Sequence, residues 1–162
     1  MAKLTLRGWL RAWLPAIFWA GVIWVLSTKY FSAENTGSAL QTVLGRLFPS
    51  ISADTLALLN HCIRKLAHFS EYFIFCLLIF RGFRGERKGW RWTWALAAFA
   101  LAAGYSALDE IHQSFVEGRT ASLFDSLLDS AGALAAMIIG WVWTHLRGSR
   151  AAAPASIETP SA

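Results

Sequence analysis

Four apolar stretches dominate the sequence and set the class of fold that it can adopt. They cover residues 9–26, 59–80, 90–108 and 123–146. About 20 residues of α-helix cross a bilayer, and in lipid each segment must satisfy its own backbone amides. With 56% hydrophobic and 15% charged residues, the chain is more apolar than an ordinary soluble domain. We therefore predict an all-α polytopic membrane protein, a bundle of four transmembrane helices formed by one domain over residues 1–148.

The first apolar stretch has an alternative interpretation. Lys3, Arg7 and Arg11 precede it, as basic residues precede the apolar core of a secretion signal. The stretch is long and rich in tryptophan, however, and the sequence after Leu26 makes a poor small-residue cleavage site. Both features favour an uncleaved first span.

Lysine and arginine positions predict the orientation of the spans. Four spans place ten of the 15 basic residues on the side of the two termini and the second loop, and five on the other side. Because positive residues accumulate on the cytoplasmic side, we expect both termini to be cytoplasmic. Seven tryptophans at the same boundary support this orientation: Trp9, Trp13, Trp90, Trp92, Trp94, Trp141 and Trp143. The net charge of +5 thus reports topology, and a nucleic-acid partner is not expected.

Two segments outside the spans have their own patterns. The first outer loop, residues 27–58, contains TGSALQTVLGRLF, in which apolar residues recur at helical spacing. This pattern predicts a short helix that either lies on the outer face of the membrane or packs against the ends of the bundle. Residues 149–162 are small, polar and proline-containing, so we predict a disordered tail.

The stretch SALDEIHQSFVEGRTASLFDSLLD, residues 106–129, puts many ionisable groups between two apolar stretches. In the predicted topology, polar stripes of the last three spans meet at the depth of the outer leaflet. The stripes are His61, Lys65, His68 and Tyr72, then Tyr105, Asp109, Glu110 and Gln113, then Asp125 and Asp129. A charged side chain at the bilayer centre costs about 2.5–3.5 kcal/mol, so the carboxylates should point into the bundle. Gly132, on the face of the two aspartates, predicts close helix packing, and we expect a polar pocket open to the outer surface.

Two segments within residues 64–140 carry a family pattern, KLAHFSEYFIFCLL and YSALDEIHQSFVEGRTASLFDSLLDSAGALAAMIIG. They resemble the VanZ-like family of small integral membrane proteins, to which the Asp-Glu-x-x-Gln-x-Phe…Gly-Arg…Asp series is fairly specific. The motif positions are Lys65, His68, Tyr72, Asp109, Glu110, Gln113, Phe115, Gly118, Arg119, Ser122, Asp125 and Gly132. Glu117 stands where the family commonly has proline, which alters the turn. Asp129 stands where it commonly has asparagine, which adds a negative charge and bears on ligand preference.

The resemblance implies a role in the bacterial cell envelope, in the cytoplasmic (inner) membrane. The family's namesake is associated with resistance to the glycopeptide teicoplanin, so antibiotic resistance is one implied role. No defined reaction follows from the resemblance.

Two functions from different classes fit the expected pocket. The first is non-catalytic binding or modification of an outer-leaflet lipid headgroup, a lipid-linked glycan or a lipid-tailed antibiotic. The binding residues would be Lys65, Tyr72, Gln113, Arg119, Ser122 and Asp129, with Lys65 and Arg119 holding phosphate or carboxylate. The second is an intramembrane hydrolase or transferase acting at a phosphate or glycosidic centre. Its catalytic residues would be His68, Asp109, Glu110 and Asp125.

Motifs for a defined chemistry do not occur. The sequence contains no serine nucleophile elbow, phosphate-cradling glycine loop or HExxH. No metal ligands are predicted, and although carboxylate and histidine groups suit divalent ions, no specific motif supports one. A proton- or ion-coupled transporter is a third option that would require a homo-oligomer, but relay acids should recur across the bilayer, whereas these cluster at one depth.

Overall fold

The computed structural model describes residues 5–117 and 121–151, which form helices and loops with no β-strand in those ranges. The helices are α1 Leu6–Leu26, α2 Ala33–Leu47, α3 Ala53–Arg84, α4 Trp92–Ser114 and α5 Leu123–Ala151. A 3-10 turn, Lys29–Phe31, connects α1 to α2. The all-α prediction is confirmed. α5 continues past the predicted end of the domain to Ala151, and residues 152–162 of the predicted tail lie outside the described residues.

Three helices are long and apolar enough to cross a membrane. They are α1, α3 and the part of α5 over Leu123–Arg147. They correspond to the first, second and fourth predicted spans. α4 covers the third predicted stretch but is not among them, because polar residues in its last two turns lower its mean hydropathy. Helices of this length and composition indicate a membrane protein.

α2 confirms that a short helix forms in the predicted first outer loop. It begins at Ala33 after Ser32, whose side-chain oxygen accepts a hydrogen bond from the Asn35 backbone N–H at 3.4 Å. Such a cap satisfies a backbone donor that the first helical turn leaves without a partner. None of its residues is buried, and Val43 and Leu47 are more than half exposed. α2 therefore lies at the periphery, against α3.

α3 is the central helix and packs against each of the other four. Its contact with α5 depends on small residues, since Gly132, Ala133 and Ala136 of α5 are all buried. A Cβ atom added to Gly132 would lie 2.3 Å from the carbonyl oxygen of Phe69 in α3. The close packing predicted at Gly132 is thus confirmed, because small residues let helix backbones approach closely.

Four helix ends meet at one end of the bundle, which we call the polar end. α1 ends there at Leu26 and α4 at Ser114, while α3 begins at Ala53 and α5 at Leu123. The opposite end, called the basic end, contains Arg81 and Arg84 in the last turn of α3, and Arg87, Lys88 and Arg91 between α3 and α4. The carboxylates of α4 and α5 therefore lie at the end opposite to this group of basic residues.

Candidate functional site

Asp109 lies inside the bundle near the end of α4 and is only 3% exposed. Its Oδ2 accepts hydrogen bonds from Ser27 Oγ at 2.8 Å and from Gln113 Nε2 at 2.9 Å. Ser27 directly follows α1, so its bond ties the end of α1 to α4. Gln113 is one helical turn beyond Asp109, which places both side chains on one face. These donors offset part of the cost of burying the carboxylate.

Asp129 is fully buried on α5 and faces α3 and α4. Its Oδ1 lies 3.3 Å from His68 Nδ1, and its Oδ2 accepts a hydrogen bond from Ser106 Oγ at 2.9 Å. Ser106 Oγ also lies 3.0 Å from Ser126 Oγ. Residues of three helices thus surround one carboxylate, which faces one of the two ring nitrogens of His68.

Two further contacts lie nearer the mouth of the polar end. Lys65 of α3 forms an ion pair with Asp125 of α5, and both side chains keep partial access to solvent. Glu110 is buried on α4, and its Oε2 accepts a hydrogen bond from the backbone N–H of Ser122 at 2.7 Å. This bond ties the end of α4 to the residue that precedes α5. All four carboxylates of the cluster therefore have at least one partner.

Some polar atoms in the cluster are buried without a hydrogen-bond partner among the described residues. They are Tyr72 Oη, Asp109 Oδ1, Glu110 Oε1 and the facing atoms His68 Nδ1 and Asp129 Oδ1, whose approach of 3.3 Å lacks the geometry of a hydrogen bond. Tyr72 is fully buried on α3 and interacts electrostatically with both Asp109 and Asp129. Buried polar atoms normally have a partner, so these atoms are where we expect water or a polar ligand group to bind.

A cavity of about 180 Å³ opens beside the cluster, between the end of α1, the 3-10 turn, α2 and α3. Its apolar walls are Leu26, Phe31, Leu40, Ile63 and Ala67. Its polar walls are Ser27, Thr36, Asn60, Arg64, His68 and Glu71. Because Ser27 also contacts Asp109 and His68 also faces Asp129, the cavity borders both carboxylate networks. We call it the head cavity.

Two polar residues that line the head cavity also hold the segment after α1 against α3. Arg64 Nη1 donates to the carbonyl oxygen of Phe31 at 2.9 Å, and Asn60 Nδ2 donates to that of Ala33 at 3.1 Å. These bonds fix the 3-10 turn and the start of α2 over α3. A guanidinium has five N–H donors, so Arg64 keeps donors beyond this bond.

A model of the VanZ/LLP1 family matches residues 12–144, which run from the second turn of α1 through most of α5. The chain belongs to the VanZ/LLP1 family. Comparison with curated proteins and with solved structures gives no significant match. The family match confirms the resemblance noted in residues 64–140 and extends it to α1 and α2. The walls of the head cavity therefore all lie within the VanZ/LLP1 domain.

The structure brings together most of the site residues predicted for this VanZ/LLP1 domain, in different surroundings. His68 lines the head cavity. The buried ones are Tyr72, Asp109, Glu110, Gln113 and Asp129. The partly exposed ones are Lys65, Ser122 and Asp125. Arg119 and Gly118 lie outside the described residues, and His61, at the start of the predicted stripe, is exposed.

Sequence reasoning missed the residues that connect the cluster. Ser27, Ser106 and Ser126 provide its hydroxyl groups, while Asn60 and Arg64 add polar walls to the head cavity. Ser27 is the first polar residue after the first apolar stretch, and this position was its only signal. Serine is common at helix ends and inside membrane helices, so a lone serine in a sequence predicts little.

The arrangement offers hydrogen-bonding and proton-transfer groups along one wall of the head cavity. His68 lines the cavity while its Nδ1 faces Asp129, an arrangement in which imidazole can act as a general acid or base. Ser27, Asn60 and Arg64 provide donors to the same space. In the part of the chain that the structure describes, no three His, Cys, Asp or Glu side chains are grouped to hold a metal ion.

Proposed function

We propose that this VanZ/LLP1 protein crosses a bacterial cytoplasmic membrane four times, with α4 as the third span. α4 has 23 residues, or about 35 Å at 1.5 Å per residue, which exceeds a hydrocarbon core of about 30 Å. It packs against α3 and α5. Its polar residues Asp109, Glu110 and Gln113 are buried in that packing, so its lower mean hydropathy does not require polar groups to face lipid.

The polar end faces outward and both termini are cytoplasmic. This orientation is supported by the basic end, where positive residues gather as they do on cytoplasmic sides. Arginines there lie over tryptophan rings, with the guanidinium of Arg87 4.5 Å from the ring centre of Trp94 and that of Arg147 4.4 Å from Trp143. Such pairs suit the headgroup region, where an indole meets both apolar and charged surroundings.

The protein binds an amphiphile of the outer leaflet in the head cavity. The observation that carries this proposal is the cavity itself, which is lined by both apolar and polar side chains and lies beside buried carboxylates. Such walls complement a molecule with a polar head and an apolar tail. Arg64 holds a phosphate or carboxylate, and Asn60 and His68 hydrogen-bond hydroxyl or amide groups. The ligand classes are a phospholipid, a lipid-linked glycan and a lipid-tailed antibiotic.

The other predicted binding residues keep their proposed roles beside this cavity, except Arg119, which lies outside the described residues and is proposed from the sequence alone. Tyr72, Gln113 and Asp129 bind polar groups of a ligand that reaches past His68, where buried atoms lack partners among the described residues. Lys65 and Arg119 are further cations for the anionic group, and Ser122 is a further donor. Lys65 must then exchange its bond to Asp125 for one to the ligand.

Lipid retention tests the binding proposal. We would purify the wild type, Arg64→Gln and Arg46→Gln in the same mild detergent and identify co-purified lipids by mass spectrometry. Arg46 is an exposed arginine in the last turn of α2 and serves as the matched control. We expect a phosphorylated lipid to be enriched with the wild type and with Arg46→Gln, and reduced several-fold with Arg64→Gln. An identical lipid profile in all three would refute the role of Arg64.

A second candidate function is an intramembrane hydrolase or transferase acting on the same class of amphiphile. It is favoured by one specific observation, namely that His68 lines the cavity while a buried carboxylate faces its Nδ1. His68 is then the general acid or base, Asp129 orients it, and Asp109, Glu110 and Asp125 are the further acids that the sequence predicts.

Product formation tests this alternative. Envelope lipids are incubated with the wild type and with His68→Gln, with and without Mg²⁺, and then analysed by mass spectrometry. A product made by the wild type and absent with His68→Gln would establish an enzyme. Retention of a lipid without conversion by the wild type would leave binding as the function.

A further inference from the structure

A second concave surface, which we call the chain groove, lies along α1 and is lined only by apolar residues. They are Ile17, Phe18, Gly21, Val22, Val25 and Leu26, around a volume of about 390 Å³. Gly21 leaves one position of this surface without a side chain, and a Cβ atom built there would meet no atom of the described residues within 4 Å. Ile17, Phe18 and Val25 are each more than half exposed.

The chain groove and the head cavity share one lining residue. Leu26 lines both, at the polar end of α1. From Leu26 the groove runs back along α1 to Ile17, which is about 14 Å at 1.5 Å per residue. That length is close to half of a hydrocarbon core of about 30 Å, and so to the depth of one leaflet.

We propose that the chain groove holds a hydrocarbon chain of the same molecule whose headgroup occupies the head cavity, an inference that rests on the binding function proposed above. With the polar end outside, the headgroup lies at the outer boundary and the chain points from Leu26 toward the bilayer midplane. This is the orientation of a lipid in the outer leaflet. The ligand is therefore a phosphate-bearing lipid with an extended chain, taken from the bilayer, and not a detached headgroup from solution.

The chain groove should select among lipid chains by their shape more than by their hydrophobicity. A lipid chain leaves an equally apolar environment when it enters the groove, so it gains van der Waals packing but little hydrophobic free energy. The missing side chain at Gly21 lets a lipid chain approach the helix backbone, which would provide such packing. A larger side chain at Gly21 should therefore displace the chain without disturbing the fold.

Photo-cross-linking in nanodiscs tests the groove with the full chain. The probe is a phosphatidylglycerol with a diazirine in the middle of one acyl chain, present as a minor component of phosphatidylethanolamine nanodiscs. Labelled positions are mapped by mass spectrometry in the wild type, Gly21→Leu, Arg64→Gln and Gly104→Leu. Gly104 is an exposed α4 glycine whose Cβ would also meet no atom of the described residues within 4 Å, so it is the matched control.

We expect labelling of the wild type to concentrate on residues 17–26, to fall several-fold in Gly21→Leu and to persist in Gly104→Leu. It should also fall in Arg64→Gln, because loss of the head contact releases the chain. Even labelling of all lipid-facing helices, or labelling of α1 that Gly21→Leu leaves unchanged, would mean ordinary boundary lipid and would overturn the inference. If Arg64→Gln still lowers lipid retention in that case, the binding function survives and only the groove is wrong; if it does not, both fail.

Discussion

Replacing Gly132 with alanine tests the packing that holds α3 and α5 together. The added Cβ would lie 2.3 Å from the carbonyl oxygen of Phe69 and 3.1 Å from its carbonyl carbon. Ordinary Cβ contacts begin near 3.4 Å, so the two helices must separate by about 1 Å. The contacting atoms belong to the backbone and cannot rotate away. Overpacking of this kind costs about 1–3 kcal/mol.

The same separation should disturb the candidate site. Asp129 lies three residues before Gly132, and His68 adjoins Phe69, so the distance of 3.3 Å between Asp129 Oδ1 and His68 Nδ1 would lengthen as the helices separate. We would follow thermal unfolding of the wild type, Gly132→Ala and Gly104→Ala in one detergent. Gly104→Ala enters open space and should unfold at the wild-type temperature or above it, since alanine favours the helix by about 0.5–1 kcal/mol. A Gly132→Ala protein as stable as the wild type would refute the close approach of the helices.

Three further tests use substitutions at individual side chains, each followed by unfolding in detergent. Ser27→Ala removes one of the donors to the buried Asp109 and should lower the free energy of unfolding by about 1–3 kcal/mol; an unchanged midpoint would contradict that bond. Tyr72→Phe removes a buried hydroxyl without a partner among the described residues, so stability should stay the same or rise, and a clear loss would count against this. Lys65→Met and Asp125→Asn should couple by about 0.5–3 kcal/mol in a double-mutant cycle, whereas strict additivity would exclude an ion pair.

The helices could be predicted because lipid leaves few alternatives to them. Each predicted span lies largely within an observed helix, and the short helix in the first outer loop was visible from its apolar spacing. Helix ends were harder to predict. α3 begins at Ala53, six residues before the predicted span, because its first turn contains the polar residues Asp54 and Thr55 and lowers the hydropathy there. Ser52 caps this turn, since its side chain accepts a hydrogen bond from the Thr55 backbone N–H at 3.2 Å. Hydropathy reports the part of a helix that suits lipid, while capping sets where the helix starts.

The acids of the site could be predicted, but the cavity could not. Charged residues in an apolar helix must face the bundle, so Asp109 and Asp129 were assigned to the interior from sequence alone. The head cavity depends on where the loop after α1 folds back onto α3. Arg64 and Asn60 fix that loop by bonds to backbone carbonyls, which leave no pattern in a sequence. The role of Ser27 could not be predicted either, because its hydrogen bond to Asp109 requires α1 and α4 to lie side by side.

The buried carboxylates are difficult to explain by stability alone. Burying a charge is costly, and even a well-paired buried ion is often no more stabilising than apolar side chains of similar volume. Asp109 and Asp129 are nearly or fully buried, and their hydroxyl and amide donors only reduce that cost. A bundle that needed only to fold would pack as well with alanine and leucine at these positions. The acids also border the head cavity through Ser27 and His68. Their cost therefore supports the proposal that a polar ligand binds beside them in the head cavity.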